Sequence, residues 1–178
     1  MRLFKRKPAK QLVKNGDVEG LLAMATSDDE ATKAAALNAL PILIEAMSPE
    51  QRATVHDLVR SGLADANCDV RAQALFALWE TEGGDAIDPM IEGLRDPDAG
   101  VRTMVAAMLG AGDPTVAYDP LIATLSDEAP VVRQMAVESL ATLGDPRAEA
   151  PLNKLASDDP DGMVRKAARN ALTQLGTG

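Results

Sequence analysis

The sequence predicts an all-α protein built from repeated helical hairpins, and three observations predict it. A Val-Arg pair recurs at Val70-Arg71, Val101-Arg102, Val132-Arg133 and Val164-Arg165, with the arginines 31, 31 and 32 residues apart. Pro89, Pro120 and Pro151 each follow a repeat arginine by 18 residues, and Asp96, Asp127 and Asp158 follow those prolines by seven. Between the landmarks, apolar residues keep helical spacing, as at Val132, Met135, Ala136, Leu140 and Leu143. Coincident periods of this length mark stacked copies of one supersecondary unit, none of which buries its apolar face alone.

The elements follow in order. Residues 1–14 carry six basic side chains (Arg2, Lys5, Arg6, Lys7, Lys10, Lys14) and no acidic one, and read as a basic N-terminal tail. The rest, 15–176, reads as one repeat domain, irregular over 15–63 and regular over 64–176. Asp17 to Thr26 reads as a single helix at the start of the array. Thr32-Lys33 begins a weaker copy of the repeat, in a helical stretch from Glu30 to Met47 that Pro41 should kink or stop. Ser48-Pro49-Glu50-Gln51 is a capping-box start for a helix reaching about Leu63.

From there each unit reads as two helices. The first, as over 131–143, stops at Gly144, where a glycine can adopt the left-handed conformation. Asp145-Pro146 then supplies an N-cap and a first-turn proline, a turn repeated at Gly112-Asp113-Pro114 and, without the proline, at Gly84-Asp85. Pro89, Pro120 and Pro151 should lie early in the second helices, where a missing N–H costs little. Gly162 to Leu175 reads as a lone first helix whose Lys166, Arg169 and Gln174 wet its outer face, as an array end requires.

Composition narrows the function classes. Apolar residues make up 46% of the chain but aromatics only 2%, so the core is aliphatic and suits closely packed helices. Beyond position 14 the chain holds twelve basic against 27 acidic residues, a net of −15 that disfavours nucleic acid and anionic membrane for the body and leaves such contacts to the tail. The single cysteine, Cys68, fits a reducing compartment, and no apolar run is long enough to span a bilayer. The expected location is cytoplasmic.

The pattern Leu125-Ser-Asp127, Val132-Arg133, Leu143-Gly-Asp-Pro-Arg-Ala148, Pro151-Leu152 resembles the short HEAT repeats of the bilin-lyase-type family. The resemblance covers 63–176 well and 28–63 loosely. It implies a right-handed α-α superhelix of the HEAT/armadillo type with about five helical-pair repeats. It also implies a ladder of aspartate and arginine along the stack, Asp65–Arg71, Asp96–Arg102 and Asp127–Arg133, each pair six residues apart, with Asp158 or Asp159 beside Arg165 in the last copy. The proline register selects Asp158 and the arginine register Asp159. The Trp-Leu-Gly-Tyr pattern of tetratricopeptides and the Thr-Pro-Leu-His of ankyrins are absent.

The ladder residues read as framework, because an aspartate at a helix start caps free N–H groups and an arginine can tie one loop to its neighbour. The acidic turns (Asp28, Asp29, Glu30; Asp65, Asp69; Asp96, Asp98; Asp127, Glu128; Asp158, Asp159, Asp161) read as caps and solubilising charge, or as a docking edge for a basic partner or for the tail itself. Ser157 to Gly162 lacks the acid at the first and the glutamate at the twelfth position of a calcium loop. His56 has no second histidine or cysteine cluster to complete a zinc site, Cys68 has no CxxC partner, and Phe76 and Trp79 read as core.

No catalytic residue, metal ligand or cofactor is expected. The leading expectation is a non-enzymatic protein–protein scaffold or adaptor, binding through its second helices at Glu92, Arg95, Ala123, Thr124 and Lys154 while Met90, Leu94, Leu121 and Leu125 fill the core. The alternative implied by the resemblance is a bilin-lyase-like subunit handling a tetrapyrrole.

Overall fold

The computed structural model describes residues 8–176, and the elements among them are helices. They are α1 (Ala9–Asn15), α2 (Val18–Ala25), α3 (Glu30–Ala39), a 3₁₀ stretch (Leu40–Ala46), α4 (Pro49–Gly62), α5 (Cys68–Glu82), a 3₁₀ turn (Gly83–Ala86), α6 (Ile87–Gly93), α7 (Ala99–Gly110), α8 (Pro114–Thr124), α9 (Pro130–Leu143), a 3₁₀ turn (Pro146–Ala148), α10 (Glu149–Asp158) and α11 (Gly162–Gln174). They form two compact units, 1–86 and 87–178.

In the first unit, Asp17 caps α2 by accepting from the Gly20 N–H, and Asp29 caps α3 by accepting from that of Thr32. Pro41 has no N–H to continue α3, and the chain tightens into the 3₁₀ stretch that begins at Leu40. Ser48 then opens α4 with a complete capping box: its hydroxyl accepts from the Gln51 N–H, and the Gln51 side chain accepts from the Ser48 N–H. Helix α3 packs on α5 and α4 on α5, burying Leu37, Leu40, Val55, Val59, Val70 and Leu78. The tail expected over 1–14 requires a correction. Residues 9–15 form α1, which buries Leu12 against α2 and α3 and ends on a left-handed Gly16. The remainder of that tail, 1–7, lies outside the described residues.

In the second unit, the first helices α7, α9 and α11 pack side by side, with α8 on α7 and α9 and α10 on α11. The core is aliphatic apart from Tyr118: Met90, Val105, Leu109, Leu121, Leu140 and Leu152 are wholly buried. At Gly110 an added Cβ would lie 2.6 Å from the Ser139 Cβ, so glycine sets how closely α7 and α9 approach. The Ser139 hydroxyl crosses the same gap to donate to the Ala106 carbonyl at 2.8 Å.

Helix α9 ends, as expected, at a left-handed Gly144. Pro89 and Pro151 stand third in α6 and α10, behind 3₁₀ turns. Pro120 departs from that expectation and lies well inside α8. There Asp113 caps the helix and Pro114 takes the first turn, so the helix starts a full turn earlier than in the other copies.

Candidate binding face and the ladder beneath it

The repeat's most regular residues hold the stack together. Arg133 Nε and Nη2 donate to the two carboxylate oxygens of Asp159, both at 2.8 Å, while Nη1 donates to the backbone carbonyls of Asp127 and Glu128. Arg102 repeats the arrangement, with Nε and Nη2 at 2.8 and 2.9 Å from Asp127 and Nη1 on the carbonyls of Asp96 and Pro97. The expected pairs therefore require correction. Arg102 and Arg133 each bond the backbone carbonyl of the aspartate six residues before them, and their carboxylate partner is the aspartate of the following copy. Arg71 and Arg165 make the same carbonyl contacts, to Asp65 and Ala66 and to Asp159 and Pro160. In the first unit Lys33 substitutes for arginine and donates to Asp65 at 2.8 Å.

Asp158, selected by the proline register, is exposed at the end of α10, whereas Asp159 is 8% exposed. The extra residue in that loop moves the ladder carboxylate by one position, and geometry follows the arginine. Each ladder carboxylate also accepts from a backbone N–H two residues on: Asp65 from Asn67, Asp96 from Asp98, Asp127 from Ala129 and Asp159 from Asp161. Ser27 does the same for Asp29 with its hydroxyl. The residue receiving that support then caps the following helix: Asn67, Asp98 and Asp161 each accept from two N–H groups, and Ala129 has no side chain able to do so. Asp98 and Asp161 stand among the acidic turn residues expected to cap, whereas Asn67 was missed, although the same Asp-x-Asn/Asp spacing precedes three of the four Val-Arg pairs.

The ion pairs perturb their carboxyls. The Arg133 hydrogen bonds hold Asp159 below the ordinary carboxylate value, outweighing burial, with help from the Asp161 N–H. At Asp127 burial pushes upward, but Arg102 and the Ala129 N–H together outweigh it and the net shift is downward. Of the twelve acidic turn residues, Asp65, Asp127 and Asp159 therefore serve the ladder, and Asp29, Asp98 and Asp161 cap helices.

The surface left for binding lies on the second helices. In the second unit, a groove of about 240 Å³ runs between α6 and α8, lined by Ile91, Leu94, Arg95, Pro120, Ala123, Thr124, Ser126 and Asp127. It brings together three of the expected contact residues: Arg95, Ala123 and Thr124. Glu92 joins its rim through an ion pair with Arg95 at 2.7 Å, while Lys154 is exposed on α10 and is not part of the lining. Thr124 was expected to be exposed. It is 7% exposed, and its hydroxyl donates to the Pro120 carbonyl one turn back in its own helix at 2.8 Å. Pro120 and Ser126 were missed as lining residues, since which faces of two helices meet depends on how the helices stack.

His56 is half exposed in a groove of the first unit, where Arg60 Nε donates to its Nε2 at 2.8 Å and a Glu82 carboxylate oxygen lies 3.2 Å away. No metal-binding cluster of His, Cys, Asp and Glu occurs among the described residues. Phe76 and Trp79 are half-buried, as is Cys68 at the start of α5. No helix among the described residues is long and apolar enough to cross a membrane.

Comparisons with known proteins agree with this geometry. A search of curated proteins gives no match. Among solved structures, the complex of CpcE and CpcF of phycocyanin lyase from Nostoc sp. PCC7120 has a chain 22% identical with a TM-score of 0.65, over 90% of this chain and 65% of that one. Human deoxyhypusine hydroxylase in complex with glycerol is 22% identical with a TM-score of 0.58, over 96% and 77%. A designed armadillo repeat protein in complex with the peptide (KR)4 is 20% identical with a TM-score of 0.62, over 94% and 85%. The family model described as HEAT repeats matches residues 56–123 and 118–177, and with the stacked helical pairs described above the chain belongs to that family.

Proposed function

We propose that this chain is a non-enzymatic, cytoplasmic protein-binding module whose contact surface is the second-helix face of residues 87–178. The groove between α6 and α8 carries the reading. It presents an apolar floor at the surface, and the positions around it change from copy to copy (Glu92, Ala123 and Lys154; Arg95, Ser126 and Ser157) while the ladder beneath stays the same. Constant framework under a varied face is how repeat arrays make a specific surface from a generic fold. The reading also draws on the designed armadillo protein held with a peptide and on the paired CpcE and CpcF, both likenesses of fold.

Ala123→Phe fills the groove from an exposed position and tests the reading. Partners captured by the wild-type chain should be lost from the variant at unchanged melting temperature; an unaltered set of captured proteins would place the contact elsewhere. A bilin-lyase-like role, favoured only by the fold likeness to the phycocyanin lyase pair, has its own test. Its signature is a shifted visible absorption band when a linear tetrapyrrole is added.

A further inference from the structure

The groove has a chemistry of its own. Helical spacing puts Asp88, Ile91, Glu92 and Arg95 on one face of α6 and its C-terminal turn, and Val116, Asp119, Pro120 and Ala123 on one face of α8. Three of these are exposed carboxylates, Asp88, Glu92 and Asp119. The cation among them, Arg95, is already engaged with Glu92. Pro120 adds an acceptor. Lacking an N–H, it leaves the Val116 carbonyl, one turn back in α8, without its usual helical donor. Of the two hydroxyls in the lining, that of Thr124 is committed to the Pro120 carbonyl, and that of Ser126 is exposed at the groove's end and can accept as well as donate. The rim therefore offers acceptors and negative charge around an apolar floor of Ile91, Leu94, Pro120 and Ala123.

Resting on the reading of this face as the contact surface, we propose that its occupant is a basic peptide segment of a partner protein. One aliphatic side chain of the segment sits on the floor between Ile91 and Ala123, and flanking Lys or Arg residues meet Glu92 and Asp119. An acidic segment would bring carboxylates against carboxylates. A purely polar one would leave the floor wet. Specificity thus comes from a requirement for both an apolar anchor and positive flanks.

Fluorescence anisotropy with the full chain tests this. The probe is a labelled Gly-Ser peptide carrying one leucine between lysines, and the controls replace the leucine by serine or the lysines by glutamates. The lysine–leucine probe should bind, both controls should bind at least about tenfold more weakly, and affinity should fall with added salt. Glu92→Lys or Asp119→Lys should weaken the probe about tenfold, and Ala123→Phe should abolish binding. Arg95→Ala frees Glu92 and should tighten the probe several-fold, a gain that damage to the fold cannot mimic.

Equal binding of the serine control, or insensitivity to Glu92→Lys and Asp119→Lys, overturns the proposal. So does competition by a synthetic peptide of residues 1–10 that outbinds the probe, which would make the occupant this protein's own N-terminal segment. Should Ala123→Phe abolish capture of partners while no basic peptide binds, the contact surface stands and the partner chemistry assigned here falls.

Discussion

Arg133 makes four hydrogen bonds at once, two to the Asp159 carboxylate and two to backbone carbonyls, with both side chains at most 10% exposed. Removing it leaves a buried carboxylate and two carbonyls without their donor, so Arg133→Ala should cost about 3–5 kcal/mol in denaturant titration. Arg133→Lys should recover only part, because an ammonium cannot fork. Asp159→Asn should be costly and Asp158→Asn silent, which separates the arginine register from the proline register in one experiment. The carboxyls of Asp127 and Asp159 titrate below the ordinary value of 3.8 when folded. Their contribution is therefore complete above that value and is lost as pH falls through the lower folded-state values. The acid-unfolding midpoint should shift upward in Arg133→Lys, whose folded carboxyl is held down less firmly.

At the scale of elements, the caps supply a further test. Ala129 occupies the position held by Asn67, Asp98 and Asp161 and has the extended backbone of an N-cap, with no side-chain acceptor. Ala129→Asn should raise stability by about 1 kcal/mol, read as a higher melting temperature. Gly110→Ala should do the reverse, because the new methyl meets the Ser139 backbone at 2.8 Å and the two helices must part; overpacking of this kind costs about 1–3 kcal/mol.

The elements themselves were legible where the signal is local. The capping box at Ser48, the stop at Gly144 and the break at Pro41 each involve residues within four positions of one another. Contacts set by stacking were not. Helix α1 depends on what Leu12 finds in α2 and α3, and the partner of Arg102 lies 25 residues away, in another copy. Thr124 was misjudged for the same reason, since which side of α8 faces the groove is decided by α6.

For the whole molecule, the net charge of −15 beyond position 14 works against compaction, and the buried ladder pairs do not respond to salt as surface charges do. Raising ionic strength from about 20 mM to about 0.5 M should therefore increase the melting temperature, by screening repulsion among exposed carboxylates. A lower melting temperature in salt would instead mark surface ion pairs as the dominant electrostatic contribution. The loop before α11 has one residue more than its counterparts, yet Asp159 still sits six positions before Arg165, as Asp127 does before Arg133 and Ser27 before Lys33. That six-residue span behaves as an indivisible joint, and the chain just ahead of it as slack. A copy of the repeat can thus vary in length, provided the added residue falls upstream of the joint. A glycine inserted between Ser126 and Asp127 should be accommodated, and the same glycine placed between Asp127 and Arg133 should uncouple one copy from the next. An array ruled by such joints can lengthen, shorten or exchange its copies without renegotiating the seam between them.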